Sequence, residues 1–341
     1  MTSSATTASE TLQKWLSGLD SSYGLVFSSL RKASSDAGFR EYWRIDTQEG
    51  KSLIVMDASQ ETQESFDAFL KVDRLMGDEA RIKVPQIKEV DAEHRLMLLN
   101  DLGTQTALNA VDENNARAIM EEAIDILVRW QSISRPNVLP PYDREVLNRE
   151  IQLFPEWYVG RHRGVAWNKK EQEWWDMSVK TILDNITAQH QVFVHRDFML
   201  RNFMVTSEGL AVLDFQDALF GPVSYDIASL LRDAFISWNE SFVLDMTIRY
   251  WEKARKAGLP IPADFSEFYR DVEFMGLQRH LKVAGIFARI NYRDGKAKYL
   301  ADTPRFIEYI RHTAHRYIAL SPLLHLIDNL EGSETKVGYT F

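Results

Sequence analysis

The chain has 341 residues, of which 45% are hydrophobic and 26% charged, as in folded globular proteins and unlike disordered chains. Its 49 acidic residues outnumber 40 lysines and arginines, and no basic block forms the stripe that nucleic-acid binding requires. The absence of cysteine excludes disulfides, thiol nucleophiles and thiolate metal sites. No segment has the pattern of a secretion signal or a membrane-spanning helix, so a cytoplasmic protein without a membrane or nucleic-acid partner is expected.

The first hundred residues have the patterns of a small sheet with helices. Leu12, Trp15, Leu16 and Leu19 recur at helical spacing and predict a short amphipathic helix. Alternating and β-branched segments separated by turn residues then predict strands on either side of one further helix. The predicted strands are 29–33, 39–46, 52–56, 87–90 and 96–99, and the helix is 63–76.

The character of the sequence changes after Gly103. A long helical pattern covers 116–130, most later segments are also helical, and a β element around 192–215 is the exception. These patterns predict an α+β protein of two lobes. The first, 1–102, is a small antiparallel sheet plus helix, and the second, 103–341, is larger and mostly helical.

Three polar residues in the β element have a spacing that indicates chemistry. A His-Arg-Asp run ends at Asp197, Asn202 follows five residues later, and Asp214 precedes a phenylalanine on the returning strand. Protein kinases carry H-R-D-x-x-x-x-N and then Asp-Phe in this order. Asp197 is thus predicted to be the catalytic base, and Asn202 and Asp214 to be ligands of Mg²⁺. A hairpin whose polar residues only satisfy backbone groups is the structural alternative.

Two further polar residues of this region are interpreted as structural support. His195 opens the motif, and Asp226 opens an apolar helix in the run SYDIASL. Asp226 is expected either to cap that helix or to accept hydrogen bonds from the loop that presents Asp197.

The sequence resembles the aminoglycoside phosphotransferase and choline kinase group of kinase-like enzymes. The run VHRDFMLRNFMV, continued by GLAVLDFQDALFGPVSYDIASLLRDA, is most similar to bacterial anomeric kinases for N-acetylmuramate and N-acetylglucosamine. DAGFREYWRI, LMLLNDLG and GLQRHLKVAGIFARINYRDGKAKYL extend the likeness to nearly the whole chain.

The resemblance implies a bilobal protein-kinase-like fold and an activity. It implies ATP and Mg²⁺ as cofactors, phosphorylation of the C1 hydroxyl of an amino sugar, a role in peptidoglycan recycling, and a monomer. The first lobe would bind nucleotide and the second would bind the sugar. Taken alone, the Ser/Asp/Gly turn at 34–38 fits a plain hairpin equally well, but the resemblance implies that it is a nucleotide-positioning loop. The resemblance also implies that 98–102 form a hinge between the lobes that contacts adenine. The residues so implied are Ser35, Asp36, Gly38, Asn100 and Leu102.

One position departs from the kinase pattern. Kinases carry a lysine on the third strand that pairs with the nucleotide phosphates and with a glutamate of the next helix. Met56 stands at that place in this sequence. Arg40 and Arg44 alternate on the neighbouring strand around Tyr42, and Arg44 is the predicted replacement.

The acceptor is expected to contact the helical lobe near Asp197. Glu150, Asp217 and Arg279 are the candidate substrate residues, and Arg279 would pair with the carboxylate of N-acetylmuramate. The helical pattern 274–293 carries Gln278 on a polar face that is either a solvated basic stripe or part of the site.

Two other functions are compatible with the motif. An aminoglycoside or other small-molecule phosphotransferase is the first. A polycationic acceptor such as an aminoglycoside calls for clustered carboxylates, however, whereas the second lobe carries the basic segments RHLKV and ARINYRDGK. A silent nucleotide-binding protein is the second, suggested by Met56 alone and opposed by intact Asp197, Asn202 and Asp214.

Overall fold

The computed structural model describes residues 8–33 and 40–332. Contacts within it divide the described chain into two compact units. The first unit comprises the residues up to Val111 together with Arg201–Asp217, and the second comprises Asp112–Leu200 together with the residues from Ala218 onward. The first unit contains an antiparallel sheet and the second is mostly helical, which confirms the predicted α+β class. No helix in the described ranges is both long and apolar enough to cross a bilayer.

The strands form one larger sheet and two short antiparallel pairs. They are β1 Leu25–Lys32, β2 Glu41–Thr47, β3 Ser52–Asp57, β4 Ile87–Asp91, β5 Leu96–Asn100, β6 Gln191–Val194, β7 Phe203–Thr206, β8 Gly209–Val212 and β9 Leu219–Pro222. The five-stranded sheet has the order β1-β2-β3-β5-β4, and every neighbouring pair is antiparallel. The predicted strands are present, although β1 begins four residues before the predicted start at residue 29.

The α-helices account for most of the second unit. They are α1 Glu10–Tyr23, α2 Gln63–Arg74, α3 Ala107–Ala110, α4 Ala116–Ser132, α5 Arg144–Ile151, α6 Lys169–Ala188, α7 Tyr225–Leu231, α8 Glu240–Lys256, α9 Phe265–Asp294, α10 Thr303–Arg316 and α11 Ser321–Glu331. A π-helical segment, Phe154–His162, lies between α5 and α6.

One face of the larger sheet is covered by α1. The helix contributes Leu12 and Leu16 to a cluster with Trp43, Ile45 and Val55 of the strands. Successive strand residues point to opposite faces, so the residues that alternate with this set face away from α1. The predicted amphipathic stripe of the N-terminal helix is therefore a packing surface of the first unit.

The hairpin formed by β7 and β8 is hydrogen-bonded to the first unit although it lies far along the chain. The Val205 N–H donates to the Gln105 carbonyl at 2.9 Å, and the Val212 N–H donates to the Lys83 carbonyl at 2.8 Å. These backbone bonds explain why 201–217 group with the sheet rather than with the helices. A division at residue 102 alone does not describe this return of the chain.

The longest helix, α9, is the centre of the second unit. The helix has 30 residues, and most of those between Phe268 and Ala288 are buried. Gln278 is among them and is fully inaccessible to solvent. The proposal of a solvated stripe is thus wrong at Gln278. Gly285 explains one close contact of this helix, because a Cβ there would lie 2.4 Å from the backbone of Leu153. Only glycine permits that approach.

Candidate active site

The loop that follows β6 is held by a buried carboxylate from α7. Asp226 accepts the His195 N–H through Oδ2 at 2.7 Å and the Arg196 N–H through Oδ1 at 3.1 Å. Burial raises the pKa of Asp226 to about 7, against the opposite effect of these two N–H donors. Of the two predicted roles, the structure gives Asp226 that of the loop's hydrogen-bond acceptor, because no side-chain cap is formed at the start of α7. Its contacts fix the backbone immediately before Asp197.

Arg196 is constrained at its backbone and at its side chain. Its φ is +77°, a left-handed conformation that is costly for a residue with a Cβ. The Arg196 carbonyl accepts from the Arg279 Nη1 at 3.0 Å, and the Arg196 Nη2 donates to the Glu150 Oε1 at 2.8 Å. Since contacts from three directions keep this strained residue in place, the next residue, Asp197, has little freedom in its backbone.

The remainder of the loop is tied down by His195 and Asp233. The buried His195 ring accepts the Asp197 N–H at Nδ1 across 3.3 Å, and Asp233 accepts the Leu200 N–H at 3.2 Å. Asp197 itself is half-buried. The second unit therefore presents a partly accessible carboxylate on a loop whose backbone is anchored on both sides of it, as a general base requires.

In the first unit, the hairpin brings Asn202 and Asp214 together. The Leu213 N–H donates to the Asn202 carbonyl at 2.8 Å, so the two residues lie on adjacent segments at the open end of β7 and β8. Asp214 is exposed and has a φ of +61°, while Asn202 is nearly buried. The Gln216 Nε2 donates to the Asp214 Oδ1 at 2.9 Å. An amide and a carboxylate oxygen are hard donors, and this set fits Mg²⁺, which keeps water and phosphate oxygens as its other ligands.

Glu150 lies in a charged cluster of the second unit. Its carboxylate contacts the Lys282 Nζ at 2.9 Å and the Arg196 guanidinium at 2.8 Å, and it accepts a hydrogen bond from the Tyr142 hydroxyl. Burial alone would raise the pKa of Glu150, but the two cations outweigh it and hold the pKa below its usual value. The predicted role of Glu150 in substrate binding stays a prediction; its observed contacts position Arg196.

Arg279 and Asp217 have different surroundings. The Arg279 guanidinium is buried, lies 4.8 Å from the centroid of the Tyr225 ring, and donates to the backbone of the loop before Asp197. Asp217 belongs to the first unit, is exposed, and accepts from the Gln216 side chain at 3.4 Å. The observed contacts of Arg279 are made within the protein, so pairing with a substrate carboxylate would need an additional donor of the same guanidinium.

The predicted phosphate residue Arg44 is part of an ion pair. Its Nε and Nη2 bind the two carboxylate oxygens of Asp101 at 2.5 and 3.0 Å, and Nη2 also donates to the Gly103 carbonyl at 2.8 Å. These bonds connect β2 to the segment after β5. The contacts of Arg44 thus hold the end of the sheet.

The remaining nucleotide predictions concern the loop before β2 and the end of β5. The Asn100 N–H donates to the Gln86 carbonyl at 3.0 Å, so an adenine contact at this residue would use its carbonyl. Leu102 is half-buried in the irregular segment that follows β5. The predicted positions Ser35, Asp36 and Gly38 lie outside the described residues.

Sequence reasoning overlooked two interactions of these segments. Asp233 stands seven residues after Asp226 in the quoted run, and it was not recognised as a second acceptor for the loop. The sequence favours Arg44 over Arg40, yet Arg40 forms a partly buried ion pair with Glu61 at 2.7 Å. The available signal was the position of Glu61 just before the N-cap of the helix that follows β3.

Comparison with known proteins assigns the family. A model described as "Phosphotransferase enzyme family" matches residues 29–261. The chain belongs to this family. The phosphotransferase is 48% identical over 337 residues to a protein from Neisseria meningitidis serogroup B named N-acetylmuramate/N-acetylglucosamine kinase, and the match covers 97% of this chain and 98% of the relative. It is 44% identical over 313 residues to a protein of the same name from Pseudomonas putida, covering 92% and 91%.

A solved structure supports the fold of this phosphotransferase. The ADP-bound aminoglycoside phosphotransferase aligns with a TM-score of 0.57 at 14% identity, over 92% of this chain and 98% of that one. At this identity the likeness concerns the fold alone. The predicted kinase-like fold and the resemblance to this group of enzymes are confirmed.

Proposed function

We propose that this phosphotransferase transfers the γ-phosphoryl group of ATP to the C1 hydroxyl of N-acetylmuramate, N-acetylglucosamine or both. The observation that carries the proposal is the 48% identity, over almost the full length of both chains, to a kinase named for these two sugars. A second relative with the same name supports it at 44% identity. The likeness to an aminoglycoside enzyme is much weaker and does not favour an antibiotic as the acceptor.

Asp197 is the proposed base of the reaction. The acceptor oxygen attacks the γ-phosphorus, its proton passes to the Asp197 carboxylate, and the bond from the γ-phosphorus to the bridging oxygen breaks to release ADP. The half-buried position of Asp197 and the bonds of its loop support this role. Because a fixed carboxylate does not have to reorganise when the proton moves, the anchoring by Asp226 favours the reaction.

Asn202 and Asp214 are the proposed ligands of Mg²⁺. When bound, the ion would neutralise negative charge on the phosphates of the nucleotide. The exposed carboxylate of Asp214 and its left-handed backbone support a functional role, because such conformations are retained where the surrounding structure enforces them. The Gln216 side chain keeps the Asp214 carboxylate oriented.

The proposal extends to the cellular setting. Phosphorylation of these amino sugars would return cell-wall fragments to metabolism, and we propose that the enzyme acts in peptidoglycan recycling in the cytoplasm. We also propose that the protein acts as a monomer.

Acceptor profiling with the purified protein tests the function. The protein is incubated with ATP, Mg²⁺ and one acceptor at a time, namely N-acetylmuramate, N-acetylglucosamine or an aminoglycoside, and ADP release is measured. Phosphorus NMR of the product then separates a C1 phosphate from a phosphate at another hydroxyl. Turnover with either amino sugar and a C1 product is expected, whereas turnover with the aminoglycoside alone would contradict the proposal.

The variant Asp197→Asn separates an enzyme from a silent nucleotide-binding protein. Removal of a general base lowers turnover by roughly 10²- to 10⁴-fold. Binding of ATP is expected to persist, because Asp197 is assigned to the acceptor and not to the nucleotide. Equal rates for the variant and the original protein would exclude Asp197 as the base.

A further inference from the structure

The third strand of the sheet lacks the cation that kinases use to bind phosphate. Met56 occupies the expected position and is fully buried in β3. In kinases, the corresponding lysine binds the nucleotide phosphates and is paired with a glutamate of the next helix. If the phosphates are bound in the same way, the positive charge must come from another segment of the chain.

Arg40 lies on the same face of the sheet as Met56. Tyr42 is directly opposite Met56 in the register of β2 and β3, and Arg40 is two residues from Tyr42. Because side chains alternate along an extended chain, Arg40 and Tyr42 point to one face, while Trp43 points to the other, where α1 packs. Arg40 is thus one diagonal step away from the missing lysine.

The partner of Arg40 reproduces the second half of the kinase pair. The Arg40 Nε donates to the Glu61 Oε2 at 2.8 Å, and its Nη2 contacts the same carboxylate at 2.7 Å and the Ser65 hydroxyl at 3.0 Å. Glu61 lies two residues before α2, the helix that follows β3, and Ser65 lies in the first turn of that helix. The side chain of Arg40 is only 8% exposed, so this pair is shielded from solvent.

The same face also contains the proposed metal ligand. The Arg40 guanidinium lies 5.8 Å from the centroid of the Phe69 ring, which packs at 4.9 Å against the ring of Phe215, the residue after Asp214. Tyr42 is influenced by the charges of both Arg40 and Asp214, and burial raises its pKa to about 12. Arg40 and Asp214 therefore act on one common region of the first unit.

Arg44, which lies within β2, is held differently from Arg40, which immediately precedes that strand. Its Nε and Nη2 are bound by the Asp101 carboxylate, and that carboxylate also accepts from the Ser52 hydroxyl at 2.6 Å. The partner of Arg44 belongs to the end of β5 and not to the helix after β3. The kinase arrangement is matched by the pair of Arg40 and Glu61 and not by the pair of Arg44 and Asp101.

We propose that Arg40, held in place by Glu61, binds the phosphates of the nucleotide in the role of the missing third-strand lysine. A guanidinium has five N–H donors in a planar fork, so it can contact a phosphate while it keeps the bonds to the carboxylate. The proposal rests on the proposed function, because it requires that ATP is the phosphate donor.

Binding measurements with and without phosphates test the inference. Calorimetry compares a non-hydrolysable ATP analogue with adenosine, which has the base and ribose but no phosphate. Arg40→Met is expected to weaken binding of the analogue by roughly 10- to 100-fold, the loss of a charged hydrogen bond, and to leave adenosine binding unchanged. Equal effects on both ligands, or none on either, would overturn the proposal. Failure of the unmodified protein to bind the analogue would instead contradict the proposed function.

Two variants control for folding and for charge. Arg40→Met leaves the partly buried Glu61 carboxylate without its cation, so Arg40→Met combined with Glu61→Gln removes both charges, and the same selective loss of binding of the ATP analogue is expected. Arg31→Met is the matched control, since Arg31 forms an exposed ion pair with Asp46 in the same sheet, and it should leave binding of both ligands unaltered. If Arg31→Met lost as much affinity for the ATP analogue as Arg40→Met, the effect would be one of overall charge, and a specific role of Arg40 would be contradicted.

Relocation of the cation provides the sharpest comparison. Met56→Lys in the Arg40→Met background restores a positive charge at the position of the kinase lysine. The lysine side chain is similar in length to the methionine that it replaces. Recovery of most of the affinity for the ATP analogue is expected, without a change in adenosine binding. A folded double variant that binds the analogue no better than Arg40→Met would contradict the equivalence of Arg40 with the third-strand lysine.

Discussion

Removal of the Asp226 carboxylate should weaken both the fold and turnover. Asp226 is completely buried, and each of its oxygens accepts one backbone N–H of the loop before Asp197. A buried donor left without an acceptor costs about 1–3 kcal/mol. Asp226→Asn keeps one acceptor oxygen and should lower the free energy of unfolding by about 1–3 kcal/mol, whereas Asp226→Ala loses both acceptors and should lower it by about 2–6 kcal/mol.

The effect on catalysis should follow the same order. A loop that no longer holds its backbone misplaces Asp197, so kcat should fall in Asp226→Asn and fall further in Asp226→Ala. Binding of ATP should be unchanged. Urea denaturation gives the stability, and steady-state kinetics below the unfolding transition give kcat.

A second buried aspartate provides the control for this experiment. Asp328 is buried in the same unit and pairs with Arg311 at 3.0 Å on helices that carry none of the proposed catalytic residues. Asp328→Ala should lower stability and leave kcat intact. The reasoning is refuted if Asp226→Ala costs less than about 1 kcal/mol or lowers kcat no more than Asp328→Ala does.

Other variants probe the charged cluster, the proposed metal ligand and the central helix. Glu150→Ala should cost about 3–5 kcal/mol because it removes a buried carboxylate and leaves two partly buried cations without it, whereas Asp184→Ala, in an exposed pair, should cost less than about 1 kcal/mol. Asp214→Asn should raise the Mg²⁺ concentration for half-maximal turnover by at least about tenfold. Gly285→Ala should destabilise by about 1–3 kcal/mol through a backbone clash, whereas Gly276→Ala, in the same helix, makes only an ordinary contact with the Arg232 Cγ at 3.8 Å and should stabilise by about 0.5–1 kcal/mol.

The results that would contradict these expectations are equally specific. If urea denaturation shows that Glu150→Ala loses no more free energy of unfolding than Asp184→Ala, the charged cluster around Glu150 is exposed to water. An unchanged Mg²⁺ titration with Asp214→Asn would remove Asp214 from the metal site. A Gly285→Ala protein as stable as Gly276→Ala would show that α9 can move away from its neighbour at no cost.

Stability at low pH should depend on Glu150. Its folded-state pKa lies below the usual value of a glutamate, so the folded protein binds this proton less readily than the unfolded chain. The contribution of Glu150 is therefore complete above the pKa of the unfolded state and is lost as the pH falls through the folded-state pKa. Glu150→Gln should flatten this decline in a series of urea titrations at acidic pH, and an unchanged pH dependence would refute it.

Much of the fold was predictable because its signals are local. Alternation over β2, β3 and β5 and helical spacing in α1 and α2 arise from backbone geometry within each segment. The order of Asp197, Asn202 and Asp214 was also readable, since these residues lie within one short stretch and have residue types suited to a base and a metal. Element boundaries were less accurate, as the early start of β1 shows.

The support of the site could not be predicted in the same way. The bond of Arg279 to the loop joins residues 83 positions apart, and the pair of Arg40 and Glu61 spans 21 positions and two elements. Neither pairing produces a periodic pattern in the sequence, because these contacts depend on how elements distant in the chain pack together. The sequence determined which residue types are available as base, metal ligands and core. The tertiary structure decided which carboxylate holds the loop and which arginine pairs with Glu61, since a hydrogen bond requires distance and direction that only the folded chain supplies.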